Sequence, residues 1–141
     1  MTWATEYQRR NAVWDRVEMP TDVRMAPAVF DAMIEHALDE RPFECCGVLA
    51  GSGGVITHNY RAPNAADLNG IRYEIDDADL ELLGVYHSHP FTRAYPSVTD
   101  IGQAWDGLIY VIVSVASFLE PDVKAFTITD GDVVERRIEL V

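Results

Sequence analysis

Residues 82–89, LLGVYHSH, followed at once by Pro90, constrain this chain more than any other stretch. The run is apolar enough to be a strand and ends on two histidines one residue apart. Side chains alternate faces along a strand, so His87 and His89 project the same way, roughly 6–7 Å apart along the backbone. Pro90 has no N–H to offer a sheet and biases His89 away from helical backbone, so the strand must stop there. After a loop, Pro96-Ser97-Val98-Thr99-Asp100 opens a helix expected to run over residues 97–105. Such a strand–loop–helix unit brings two imidazoles and the first-turn carboxylate of Asp100 towards one point. Structural zinc sites are closed, usually by four Cys or His ligands, whereas catalytic ones use three protein ligands and keep a position for water. Two neutral imidazoles and one carboxylate also leave a divalent ion with the net positive charge that acidifies bound water. A plainer reading stands beside this one. Ser97-x-x-Asp100 is close to a helix capping box, and a His-x-His pair can be a solvated strand end.

The pattern His87-Ser88-His89-Pro90, with Ser97 seven residues after Pro90 and Asp100 three further on, resembles the JAMM motif. That motif belongs to the JAMM/MPN+ (Mov34/MPN/PAD-1) zinc metallopeptidases. Upstream, RPFECCGVLAG at residues 41–51 is similar to the family's segment in which a catalytic glutamate precedes a Cys-Gly strand. The resemblance covers residues 23–141. It implies Zn2+ held by His87, His89 and Asp100, with Glu44 as general base and Ser97 as a donor to the oxyanion. Spacing alone does not single out Glu44 from the chain's ten glutamates. The resemblance also implies substrate contacts at Asn64 and at Tyr73, and a deaminase-like JAMM/MPN fold of the α/β class with a mixed, twisted sheet flanked by helices. The implied reaction is hydrolysis of a peptide or isopeptide bond. In short bacterial relatives the substrate is a ubiquitin-like or sulfur-carrier protein with a C-terminal Gly-Gly. Two other readings remain: a non-catalytic MPN-type scaffold, although such members generally lack ligands that are present here, and a zinc amidohydrolase acting on a small molecule.

At 141 residues, 48% hydrophobic and 24% charged, the chain is long enough for one domain with a real core. No apolar run approaches the roughly 18 residues of a membrane span, and MTWATEYQRR lacks a signal peptide's apolar centre. The expectation is a cytoplasmic protein with no membrane partner. A net charge of −12 argues against nucleic acid, which needs clustered positive charge. It would suit a high-salt cytoplasm, where self-repulsion is screened. Adjacent Cys45 and Cys46 point to opposite faces of a strand, which disfavours a disulfide, and both are expected as small core residues.

Taken in order, residues 1–20 are expected to form an N-terminal extension ahead of a single domain at 21–141. Trp3, Tyr7, Trp14 and Val17 would line one face of a helix docked on that domain. An edge strand at 21–25 precedes a helix opened by Pro27, with Val29, Phe30, Met33, Ile34, Ala37 and Leu38 as its apolar stripe and His36 on its polar face. Arg41-Pro42 ends it. Strands at 45–50 and 55–61 flank a Gly-Ser-Gly-Gly turn; His58, on the second, reads as structural. A loop at 64–66 leads to a third strand at 71–75 that carries Tyr73. The connection at 76–81 looks short where the family has a helix. Residues 108–115 read as a central strand buried on both faces. Residues 123–129 and 133–141 form a closing hairpin about Asp130-Gly131. Two helices on a mixed sheet is the expected plan.

Overall fold

The computed structural model describes residues 2–10, 22–62 and 68–141. In chain order these form α1 (Trp3–Arg10), β1 (Val23–Met25), α2 (Pro27–Glu40), β2 (Cys46–Ser52), β3 (Val55–Ala62), α3 (Leu68–Asp77), β4 (Glu81–His89), α4 (Val98–Gly102), β5 (Ile109–Ser114), β6 (Asp122–Thr129), β7 (Asp132–Arg136) and β8 (Ile138–Leu140). The expectations for Trp14, Val17 and Asn64 lie outside the described residues. All eight strands join one mixed sheet in the order β7-β6-β5-β4-β2-β3-β1-β8. β4 and β5 run parallel, as do β1 with β3 and β1 with β8; the remaining neighbours are antiparallel. The two ends of that order, β7 and β8, are separated in the chain by Arg137 alone. Consecutive Cα atoms are about 3.8 Å apart, so the sheet must curl until its ends nearly meet.

Helices cover both faces. α2 starts with Pro27 at its first turn, and its stripe of Val29, Phe30, Met33, Ile34 and Ala37 is buried against Leu49, Tyr86, Val111 and Val113. α1 docks on α2: Tyr7 and Phe30 rings lie 4.9 Å apart, and the Ala4 N–H donates to Asp31 Oδ1 at 2.9 Å. On the other face, Ile71 and Ile75 of α3 pack over Val48, Ala50, Leu80 and Leu82. No helix among the described residues is long and apolar enough to cross a membrane.

Several elements differ from those expected. Residues 71–75 are not a strand but the middle of α3. Ile71 and Ile75, one helical turn apart, are buried, while Arg72, Tyr73 and Glu74 between them are exposed, so the period is 3.6 and not 2. The helix that the family would place before β4 is therefore present, and the connection is not short. β1 is not an edge strand, because β8 pairs along its outer side. The expected strand at 133–141 divides at Arg137: β7 closes the hairpin and β8 crosses to β1. α4 is a single five-residue turn that ends before Trp105. Finally, His36 is 4% exposed, not solvated, and Cys46 is exposed, not core.

Candidate metal centre

β4 carries the centre, and its neighbours fix its position. Cys46 of β2 pairs with His87 on one side, and on the other His87 pairs with Ile112 and His89 with Ser114 of β5. The glycine of the Cys-Gly pair is required by this register. A Cβ on Gly47 would overlap the ring of Tyr86, which crosses directly over it. Tyr86 is held in turn by His36, whose Nδ1 lies 2.8 Å from the phenol oxygen, and by Asn59 at 3.4 Å. Burial pushes the Tyr86 phenol up to about 12 and the His36 imidazole below its ordinary value. The residue before His87 is thus clamped on one face of the sheet while His87 projects from the other.

There, His87 Nε2, His89 Nε2 and Asp100 Oδ2 form a nearly equilateral triangle with sides of 3.2, 3.1 and 3.4 Å. Donors about 2.0–2.1 Å from a tetrahedral zinc stand about 3.3–3.4 Å apart, so the three atoms match one face of a zinc tetrahedron. Protonation states agree. His89 Nδ1 lies 2.9 Å from the Arg93 carbonyl, which can only accept, so Nδ1 carries a hydrogen and Nε2 is the nitrogen turned to the centre. Burial lowers the His87 pKa against the opposing pull of Asp100, which favours the neutral ligand form. Burial acts to raise Asp100, but the Ser97 backbone N–H and His87 outweigh it and hold the carboxyl below its usual range. Two imidazole nitrogens and one carboxylate oxygen thus face one point.

Loop 90–97 is tied down as well. The Ser114 hydroxyl donates to the Thr92 carbonyl at 2.6 Å. Ser97 N–H donates to Asp100 Oδ2 at 2.8 Å and Asp100 N–H to Ser97 Oγ at 3.1 Å, a complete capping box. The cap reading of this pair is therefore realised, and the capped carboxylate is the one that faces the two imidazoles. Because Ser97 Oγ accepts from the backbone, its own proton is left to donate elsewhere.

Glu44 is exposed at the entry to β2. Next to it, Cys45 is stitched to Ser88 by Ser88 N–H to Cys45 O at 3.0 Å and Cys45 N–H to Ser88 Oγ at 2.8 Å. Glu44 thus stands beside the end of β4, and its charge reaches the His87 imidazole. Tyr73 lies on the outward side of α3, 72% exposed. His58 is exposed, with its Nδ1 2.8 Å from the Thr57 hydroxyl. Beyond the expected residues, Cys46 shares the face of His87, directly across the ladder; an antiparallel pairing of the two motif strands would have found it. A cavity of about 490 Å³ also opens between α3, Leu82 and Val85 of β4, and the segment Trp105–Leu108. Its lining is mainly apolar, and Val85 is two residues before His87 on the same face.

The family model described as Prok-JAB, prokaryotic homologs of the JAB domain, matches residues 26–129. The CysO-cysteine peptidase of Mycobacterium tuberculosis is 34% identical over 125 residues, covering 79% of this chain and 86% of that protein. The desampylase of Haloferax volcanii is 30% identical over 118 residues, covering 70% and 81%. Among solved structures, protein DSY2949 of Desulfitobacterium hafniense superposes with a TM-score of 0.74 at 28% identity, over 84% of this chain and 92% of its own. The JAB1/MPN domain protein AF2198 of Archaeoglobus fulgidus shares the fold with a TM-score of 0.59 at 21% identity, over 82% and 97%.

Proposed function

This chain belongs to the family of prokaryotic homologs of the JAB domain, and from that premise we propose that it is a zinc-dependent peptidase. Its substrate bond is the peptide or isopeptide bond that follows the C-terminal Gly-Gly of a small ubiquitin-like or sulfur-carrier protein. The observation that carries the reading is the triangle of two imidazole nitrogens and one carboxylate oxygen, with sides of 3.1–3.4 Å. The substrate class draws on two relatives, one named for a cysteine attached to CysO and the other a desampylase.

His87, His89 and Asp100 would hold the ion, and bound zinc supplies acidification of a water and polarisation of the scissile carbonyl. The remaining chemistry falls to the chain's own groups. Glu44, exposed at the lip beside β4, accepts the water's proton and returns it to the leaving amine. The free Ser97 proton is directed at the developing oxyanion; such a donor is often worth roughly 3–4 kcal/mol in the transition state. The apolar cavity beside Val85 gives the substrate tail a dry wall to lie against.

Elemental analysis and a cleavage assay test this together. Purified protein should carry near one zinc per chain, and His89→Ala should abolish it. Glu44→Gln should keep the zinc yet lower turnover of a carrier extended past Gly-Gly by at least a hundredfold. Retained turnover would remove Glu44 from the mechanism. Preference for small amides over the carrier would move the assignment to a small-molecule amidohydrolase.

A further inference from the structure

Arg41 is the C-cap residue of α2, three positions ahead of Glu44. Its guanidinium carbon lies 5.6 Å from the ring centre of Phe91 and 5.6 Å from that of Phe118. Its Nε is buried with no hydrogen-bond partner. Among the described residues no carboxylate pairs with Arg41, in a chain with 23 acidic side chains. A guanidinium held between two rings and left without a counter-ion calls for an explanation. Phe91 and Phe118 are themselves 68% and 58% exposed, and neighbouring Phe43 is 73% exposed. Phe91 and Phe118 form a solvent-facing aromatic rim beside this one cation.

The rim's place along β4 indicates what the cation is for. Leu82 and Val85 line the apolar cavity, His87 and His89 carry the centre, and Phe91 lies two residues further on. Val85, His87 and His89 follow one another along one face of β4, and Phe91 lies just past its end, beyond Pro90. β2 runs antiparallel to β4, so residues 41–44 meet the sheet at the same end that Phe91 leaves it. A peptide laid across the centre therefore has the apolar cavity on one side of its scissile bond and Arg41 on the other. The two sides differ in chemistry as the two halves of a carrier conjugate do. An uncharged tail suits the cavity, and a leaving group ending in a carboxylate suits Arg41.

We propose that Arg41, clamped by Phe91 and Phe118, binds the free α-carboxylate of the leaving group and so selects conjugates that end one or a few residues past the scissile bond. The identity of the ligand rests on the peptidase reading above. Hydrolysis places the water's oxygen on the carrier's terminal carbonyl and its proton on the leaving amine, and releases an amino acid or short peptide whose carboxylate Arg41 has held throughout. A carrier joined to a lysine side chain within a folded protein brings no terminal carboxylate to this position and gains nothing from it.

The test uses the zinc-loaded protein with Glu44→Gln to stop turnover. A synthetic peptide ending Gly-Gly-Cys is titrated calorimetrically as its free acid and as its C-terminal amide. The acid should bind at least tenfold more tightly. With Arg41→Gln added, the ratio should fall to within twofold; Arg41→Lys, which keeps charge without the planar fork, should give a value between. The acid–amide comparison leaves Arg41 intact, so it holds even where a substitution at Arg41 disturbs folding. Equal affinities, no binding of either form, or a preference that survives Arg41→Gln would each overturn the assignment. Cleavage by the unsubstituted protein is followed in parallel. A carboxylate preference without cleavage would remove the peptidase reading and leave the Arg41 site standing.

Discussion

Ser97 occupies two roles at once, and the distances say how they coexist. Its Oγ accepts the Asp100 N–H at 3.1 Å, while its own N–H, which no side-chain change removes, fixes Asp100 Oδ2 at 2.8 Å. Ser97→Ala should therefore leave the carboxylate aimed and the zinc bound. Stability should fall by about 1 kcal/mol, the usual worth of a cap, and turnover by about a hundredfold or more for the lost oxyanion donor. Denaturant melts and kcat of the zinc-loaded variant separate the two. A loss of stability with turnover kept would leave Ser97 a cap and nothing else. The donor set itself was legible in the sequence because alternation along a strand and the first turn of a helix are local rules that His87, His89 and Asp100 obey. His36 was not legible. Its burial depends on Tyr86, 50 residues away, and helical period alone places it at the edge of the apolar stripe.

Elements whose evidence lay in one short window were read less well than those with long patterns. α2 and β5 were legible because a six-residue stripe fixes a helical period, and a short, β-branched apolar run suits a strand better than a helix. In Ile71-Arg72-Tyr73-Glu74-Ile75, apolar and aromatic residues at every second position satisfy a strand, and the two isoleucines alone satisfy a helix. Packing of both onto Val48 and Ala50 decided it. The C-terminal strand failed for another reason. Only the curl of the sheet requires the chain to break at Arg137, and no local signal encodes that curl. Arg137 marks the break with two bonds to Asp22, at 3.0 and 2.6 Å, which tie the start of β8 to the start of β1. Those bonds hold the Asp22 carboxyl below its ordinary value. A depressed carboxylate pKa adds stability that is complete above the unfolded value, near 4, and disappears as pH falls through the folded one. Asp22→Asn should therefore cost about 0.5–1 kcal/mol at pH 7, and the difference from the parent should shrink steadily from pH 5 to pH 3. Urea titrations across that range check it; a constant difference would mean the pair does not stabilise through its charge.

Over the whole molecule, 23 acidic side chains face 11 basic ones, so even complete pairing would leave the net charge at −12. Among the described residues, the ion pairs Arg9–Glu6, Arg61–Asp39, Lys124–Glu135 and Arg137–Asp22 are all at least partly exposed and each contributes little. Unpaired carboxylates repel one another more in the compact state than in the expanded one, so the charge acts against folding wherever salt is dilute. The Debye length falls from about 10 Å at 0.1 M salt to about 3 Å at 1 M, below the spacing of most surface charges. Raising KCl from 0.1 to 1 M should therefore raise Tm, and a further rise to 2 M should add little, because screening is by then nearly complete. NaCl should trace the same curve, since only ionic strength is at work. A melting temperature indifferent to KCl would mean that the acidic groups are spread too far apart to oppose folding. A Tm that climbed without levelling would point instead to salt strengthening the burial of apolar surface.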